Sequence, residues 1–308
     1  MTGRRSIAAV AVAWLAGCWL GSLAAPAASA LPSIVIGRAR AGFFPDVDGK
    51  RTISILVVGS DARPGGNVMR SRADSLHVVL IRPRKHRAVV VGIPRDSWVP
   101  IAGGGSNKIN AALASGGPDR LVATIRSSFG VPIDYWAVTG FAGLKRMVND
   151  VGGIDVHFPF RLGAGRSFAP GRHHVRGSGL LALARDRHGL RSGDFGRQEN
   201  GGRLLIATLE EFQSDVHDDP DRLLVWLGAA LRTLDTDVAA RDLIDLAFLG
   251  LRLPARRIQN VVLPGGTGTV GSSSVVFLSR SRAVQIFRDA ADGRLRRANV
   301  PRSPTAGQ

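Results

Sequence analysis

Two aspartates and three arginines crowd the turn of an otherwise apolar stretch, ILVVGSDARPGGNVMRSRADSLHVVLI, residues 55–81. The acids are Asp61 and Asp74; the arginines are Arg63, Arg70 and Arg72. Carboxylates at the ends of neighbouring strands can share one magnesium ion, which takes hard oxygen ligands and keeps substrate phosphates in its remaining positions. Arginines around such an ion hold the other phosphate oxygens through bidentate, charge-assisted hydrogen bonds. Three more segments place charge beside turns: IPRDSWV (93–99), SNKIN (106–110) with Lys108 and Asn110, and ALARDRHGLRSGDFGRQ (182–198). None is specific alone, and at Asp61 and Asp74 the competing reading is a pair of turn carboxylates satisfied by local amides.

The elements that must position these groups follow from the hydrophobic pattern. TISILVVG (52–59), SLHVVLIR (75–82) and RAVVVGI (87–93) are short, β-branched and bounded by turns, which predicts three strands. PDRLVATIRSSFG (118–130) has helical spacing closed by Gly130; DYWAVTG is a strand, FAGLKRMVNDVGG a helix ended by glycine, and GIDVHF (153–158) a further strand. The turn PRKH joins two strands too closely for a parallel crossover, so the expected fold is α/β with a mixed central sheet flanked by helices. Beyond residue 176 the chain reads as helix-rich, with a last strand near IQNVVLP, a closing helix near SRAVQIFRDAA and a disordered tail over 294–308.

A chain of 308 residues with 44% hydrophobic content buries a sizeable core. Its formal net charge of +17 points to an anionic partner. Lys50, Lys85, Lys108 and Lys145 are the only lysines, so arginine carries nearly all of that charge, and a GC-rich genome accounts for many surface arginines. Cys18 is the only cysteine, which excludes an intrachain disulfide and a cysteine-based zinc site.

At the amino end, Arg4 and Arg5 precede a run from Ser6 through Ala25 without a charge, about the length that spans a bilayer. The positive flank keeps the amino end cytoplasmic and sends the rest of the chain outside. Residues 1–30 are therefore a transmembrane anchor, a signal segment cut after Ala28–Ala30, or a lipoprotein leader ending at Cys18. Residues 31–51 form a linker. All three outcomes place the body outside the cytoplasmic membrane, and an exported chain with no helix-turn-helix or aromatic-basic platform is not a nucleic-acid binder.

In order, ILVVGSDARP…RSRADSLHVVLI, VVGIPRDSWV, NKINAAL, GVPIDYWAVTGFAGLKRMVNDVGGIDVHFP and ARDRHGLRSGDFGRQ resemble the LytR-CpsA-Psr family of cell-envelope enzymes. The resemblance covers about residues 52–214, and five motifs in sequence make it specific. It implies a catalytic core at 52–214 with a carboxy-terminal extension, 215–293, packing on it. The implied activity is that of a membrane-anchored phosphotransferase, single-pass and extracytoplasmic, which moves a glycan 1-phosphate from a polyprenyl pyrophosphate carrier onto peptidoglycan.

Matched residue by residue, the resemblance makes Asp61 and Asp74 the carboxylates for Mg²⁺ or another divalent cation such as Mn²⁺. Arg95, Arg185, Arg187 and Arg197 become pyrophosphate-binding arginines, with Asp61, Asp74 and Arg95 as the catalytic group. Arg72 and Arg87 fall where the family commonly has basic residues near the phosphates, although a solvated charge beside a strand explains them equally. Asp96 reads as a cap or a partner of Arg95 as readily as a catalytic group, and Asp194 as a cap for a helix starting near Phe195. One departure stands out. Where the family often carries a further arginine and then glutamine, this chain has Asn200, Gly201 and Gly202, which puts substrate contacts and the helix's rigidity in question. On that ground the alternative is a non-catalytic envelope protein that binds polyprenyl pyrophosphate or wall glycan.

Overall fold

The computed structural model describes residues 35–38, 52–63, 65–158, 161, 168–186, 193–233 and 240–296. The expectations for residues 1–30, for most of the linker and for the tail beyond 296 lie outside these. Among the described residues no helix is long and apolar enough to cross a membrane.

Six strands form the central sheet: β1 (Val35–Arg38), β2 (Ile53–Ser60), β3 (Ala73–Arg82), β4 (Arg87–Gly92), β7 (Tyr135–Gly140) and β10 (Ile258–Val262), in the order β1-β7-β2-β3-β4-β10. β2 and β7 run parallel, as do β4 and β10, while β1–β7, β2–β3 and β3–β4 are antiparallel. The sheet is mixed for the reason the sequence offered. β3 and β4 are joined by a single 3₁₀ turn, Pro83–Lys85, closed by His86, whose φ of 47° brings its N–H to the Pro83 carbonyl at 3.1 Å. A link that short permits only an antiparallel pair.

The period of two along β3 sends its residues to two different layers. Leu76, Val78 and Leu80 join Leu56, Val58, Val89 and Val91 in the main core, packed under α1 (Ala111–Phe129) and α7 (Arg280–Ala291). α1 bends at Gly117, where φ is 72°, and Pro118 then starts the straight helical run predicted from the sequence. His77, Val79 and Ile81 face the other layer. It contains α4 (Asp194–Asp218) and α6 (Ala240–Leu251), with Leu209 of α4 and Leu246 and Leu249 of α6 on the sheet.

A satellite core joins α2 (Phe141–Asp150) and α3 (Gly177–Arg185) to α4 and to a hairpin of β8 (Ile154–Phe158) and β9 (Gly171–Val175). α5 (Arg222–Thr233) leans on it through Trp226. The chain beyond 215 is more than an addition to a finished core. β10 extends the sheet at β4, and Ala283, Ile286 and Phe287 of α7 complete the main core. Two further hairpins, β5 (Trp98–Pro100) with β6 (Ser106–Lys108) and β11 (Gly265–Val270) with β12 (Ser273–Leu278), stand next to the turn after β4.

Candidate active site

The site begins with an irregularity in the β2–β3 ladder. Gly59 pairs with Ser75, but Ser60 pairs with Ala73, so Asp74 is the one extra residue of a β-bulge. A bulge bends its strand and re-aims the extra side chain, and here that side chain is a carboxylate. Beyond it the Asp61 N–H reaches the Arg72 carbonyl at 3.0 Å, which keeps Asp61 at the same end of the hairpin. The Asp61 carboxylate is half-buried and takes no hydrogen bond or ion pair from a described residue.

Arg95 lies in the tight turn that follows β4. Ser97 closes this turn onto the Pro94 carbonyl with its N–H at 3.1 Å and its hydroxyl at 2.6 Å. The flanking segments pin it too: Asn110 N–H donates to the Arg95 carbonyl at 3.2 Å, and Val276 N–H of β12 to the Asp96 carbonyl at 2.9 Å. Thus held, the Arg95 guanidinium donates to Asp74 Oδ1 through one terminal nitrogen. Its Nε stands 3.6 Å from Asp96 and 3.9 Å from Asp194.

Asp194 opens α4 as its first residue, after Gly193. Its carboxylate does not cap the helix as expected. Oδ2 accepts the Arg95 backbone N–H at 2.9 Å, and Oδ1 pairs with the Arg197 guanidinium one turn along. Asp96 is an ion-pair partner, between Arg95 and the Lys108 ammonium at 3.2 Å. Arg95, Arg197, Asp74, Asp96, Asp194 and Lys108 therefore form one connected cluster.

Burial and charge compete inside it. Burial works against the Arg95 charge, but Asp74, Asp96 and Asp194 outweigh it and hold the Arg95 pKa above the ordinary arginine value. For Asp194 burial dominates; with Asp96 it raises the carboxyl pKa above the usual range, although Arg197 and Arg95 pull it down.

Not every predicted residue is here. Arg87 is paired with Arg82 at the opposite end of β3 and β4, roughly 17 Å along the strand from Gly92, so it does not belong to the cluster. Arg72 is exposed beside Asp61. Arg185, the last residue of α3, is exposed with its guanidinium 4.7 Å above the Phe141 ring, a cation–π seat. Arg187 lies outside the described residues.

The layer beneath the site contains a group that went unremarked in the sequence. His77 is fully buried; its Nε2 donates to the Gln198 carbonyl at 2.7 Å and its Nδ1 accepts from the Ser75 hydroxyl at 3.1 Å. Gln198 Oε1 accepts the Leu76 N–H at 3.2 Å, so β3 is stitched to the first turn of α4 from both sides. A polar residue facing the helix layer in the middle of SLHVVLI was the available signal. Burial lowers the His77 pKa to about 4, and the imidazole is neutral.

This layer also explains the glycine pair. A Cβ on Gly201 would stand 2.6 Å from His77 Cε1, and one on Gly202 2.1 Å from Asn260 Oδ1. The two glycines let α4 close on β3 and β10, and the helix runs unbroken from Asp194 to Asp218. Asn200 is buried and donates to the Leu183 carbonyl at 2.9 Å, tying α4 to α3.

The donor set suits a small divalent cation. Counting Asp61, the cluster and its strand end carry four carboxylates against the cations Arg95, Arg197 and Lys108. Among the described residues no group of three or more acidic, histidine or cysteine side chains is placed to hold a metal; at this strand end Asp61 has no described partner, and Asp74 is engaged by Arg95. Two protein oxygens suffice for Mg²⁺, which fills its octahedron with water and substrate phosphate.

Comparison with known proteins agrees with the motif order. The LytR_cpsA_psr family profile matches residues 36–292. The chain is 38% identical over 161 residues to the polyisoprenyl-teichoic acid–peptidoglycan teichoic acid transferase TagU of Bacillus mycoides, covering 52% of each chain. It is 36% identical over 177 residues to the corresponding TagV of Bacillus subtilis, covering 54% of this chain and 45% of that one. The chain thus spans about half the length of the curated relatives it matches. Among solved structures, B. subtilis TagV superposes with a TM-score of 0.65 at 27% identity, covering 79% of this chain and 98% of that one. B. subtilis TagT, at 20% identity and a TM-score of 0.66 over 83% of this chain and 96% of that one, shares the fold.

Proposed function

The chain belongs to the LytR_cpsA_psr family, and from that premise we propose that it is a membrane-anchored phosphotransferase. Its donor is a glycan carried on polyprenyl pyrophosphate, its acceptor a hydroxyl of peptidoglycan, and residues 6–25 supply the anchor. The names of TagU and TagV, polyisoprenyl-teichoic acid–peptidoglycan teichoic acid transferases, support both substrate classes.

The observation that carries this reading is the convergence of Arg95 and Arg197 on Asp194, next to the bulged Asp74 and to Asp61, which has no partner among the described residues. Phosphoryl transfer asks little covalent chemistry of a protein; it asks for positioning and for positive charge where negative charge develops. Arg95 and Arg197 are fixed in direction by carboxylates before substrate arrives, so they need no reorganisation when the pyrophosphate binds. Two exposed arginines, Arg72 beside Asp61 and Arg185 over Phe141, are assigned to the outer phosphate oxygens.

The acceptor hydroxyl oxygen bonds to the sugar-linked phosphorus, and the bond from that phosphorus to the bridging oxygen breaks. Polyprenyl phosphate leaves with the electron pair. The hydroxyl proton goes to a carboxylate oxygen of Asp61 or Asp74 that the ion does not take. Asp61 and Asp74 would hold a divalent ion, whose chemistry is to neutralise charge on the phosphates.

Asn200 and Gly201, which raised the non-catalytic alternative, are accounted for by packing. The test is a transfer assay with the full chain in lipid vesicles, a polyprenyl pyrophosphate-linked glycan as donor and a peptidoglycan oligosaccharide as acceptor. Linkage of glycan to acceptor with release of polyprenyl phosphate is the expected result. Donor binding without transfer would overturn the enzyme reading.

A further inference from the structure

The helix α5 has almost no polar side. Its sequence RLLVWLGAALRT contains only Arg222, Arg232 and Thr233 as polar residues. Arg222 turns onto Asp215 at 2.7 Å and Thr233 bonds back to the Ala229 carbonyl at 2.7 Å. A helix apolar all round is ordinarily enclosed on every side, yet Leu224 is 68% and Leu231 51% exposed. These two are seven positions apart and share one face. On α6, Ile244 and Phe248, four apart, are 42% and 45% exposed. Together these are four of the five exposed large apolar side chains among the described residues.

The two helices lean on one stretch of α4. The Trp226 ring of α5 meets Phe212 with centroids 5.5 Å apart, and Gly250 of α6 approaches the same ring, with a Cβ there falling 3.5 Å from Phe212 Cε1. Immediately after α6 come Arg252, Arg256 and Arg257, all exposed and none ion-paired to a described residue. Of the exposed acids nearby, Glu210 lies on α4 and Asp218, Asp219 and Asp221 sit at the other end, before α5; on α6 itself Asp242 and Asp245 are half-buried. Leu, Ile and Phe side chains bordered by exposed arginines have the composition of a surface that lies in the headgroup region of an anionic bilayer.

We propose that the exposed faces of α5 and α6 rest on the surface of an anionic phospholipid bilayer, with Leu224, Leu231, Ile244 and Phe248 in the acyl boundary and Arg252, Arg256 and Arg257 on lipid phosphates. The proposal rests on the reading above that the chain is held at a membrane. Its consequence is positional: the catalytic body is laid against the bilayer that carries its lipid donor, instead of swinging freely on a tether.

The experiment uses the full chain with Cys18→Ser, reconstituted in vesicles, with Leu231→Cys, Phe248→Cys or Thr269→Cys each carrying an environment-sensitive fluorophore. Labels at 231 and 248 should shift to the blue and be quenched by brominated lipid in phosphatidylglycerol vesicles, while the label at 269 stays solvent-like. Arg252→Glu with Arg256→Glu and Arg257→Glu should remove the preference for phosphatidylglycerol over phosphatidylcholine. Solvent-like emission at 231 or at 248 overturns the proposal. So does a shift that depends on protein density, which marks a second copy, or one that needs added short-chain isoprenyl pyrophosphate, which marks the donor tail. Glycan transfer is read separately: an active chain with solvent-like labels removes this surface and leaves the enzyme standing.

Discussion

Asp194 Oδ2 accepts the backbone N–H of Arg95 at 2.9 Å, across 99 positions of sequence. The same carboxylate holds the Arg197 guanidinium, so one side chain sets both the main-chain course of the turn after β4 and the direction of an arginine on α4. Replacing Asp194 by alanine removes both at once. A charge-assisted hydrogen bond in such a place contributes about 1.5 to 3 kcal/mol, and transfer should fall at least roughly tenfold. Steady-state transfer rates of Asp194→Ala and Asp194→Asn check this; wild-type rates in both would reduce Asp194 to a helix-terminal residue.

The arginines divide by position. Arg95→Ala and Arg197→Ala should each lower transfer by at least roughly tenfold, from the loss of one charge-assisted contact in a shielded site. Arg87→Ala, at the far end of β4, should leave transfer unchanged within about twofold. Equal losses in all three variants at low salt, disappearing at high salt, would mean that a diffuse positive field binds the donor and that the cluster has no special role.

Asp61 and Asp74 should act on one ion. Calorimetric titration of Mg²⁺ in the presence of pyrophosphate should show weaker binding for Asp61→Ala and for Asp74→Ala, while Asp96→Ala, whose carboxylate belongs to Arg95 and Lys108, should bind the ion as the wild type does. Undiminished affinity in the first two variants would return Asp61 and Asp74 to ordinary turn carboxylates.

His77 gives stability its own pH dependence. Its pKa is about 4 in the folded chain against 6.5 for an ordinary histidine, because burial penalises the charged ring. The folded state therefore favours the neutral form. That contribution is fully present above pH 6.5 and is lost as pH falls towards 4, about 3 kcal/mol in all. Urea unfolding between pH 7 and pH 4 should show a shallower fall for His77→Leu than for the wild type. Parallel curves would show that His77 does not carry the effect.

Gly201 and His77 should behave as a pair. Alanine at 201 gains up to about 1 kcal/mol of helix propensity over glycine. Its Cβ, however, would stand 2.6 Å from the His77 ring, and overpacking of that kind costs about 1 to 3 kcal/mol. Gly201→Ala should thus destabilise the wild type but stabilise a His77→Ala background, a sign reversal measured by a double-mutant cycle of unfolding free energies. Additive effects would mean the two residues do not share that space.

Much of this protein was determined along the chain itself. The period of two in ISILVVGS and ADSLHVVLIR, the four-residue link between β3 and β4, and Pro118 at the start of a helical run are local features, and local sterics decide what they become. The candidate charges were legible too, because Asp61, Asp74, Arg95 and Arg197 sit in short motifs beside predicted turns and the family resemblance singles them out. What tertiary structure decided is which of those charges meet. Arg87 read equally as a phosphate contact or a solvated charge until strand register put it at the far end of the sheet. Asp194 looked like a helix cap until packing of α4 on the sheet brought it to Arg95. Gly201 looked like a weak point until it faced His77. The bulge at Asp74, the pin at Asp194 and the glycine contact each depend on pairing or packing between separate segments. No propensity or spacing within one segment encodes such a contact, since it exists only once the layers have closed.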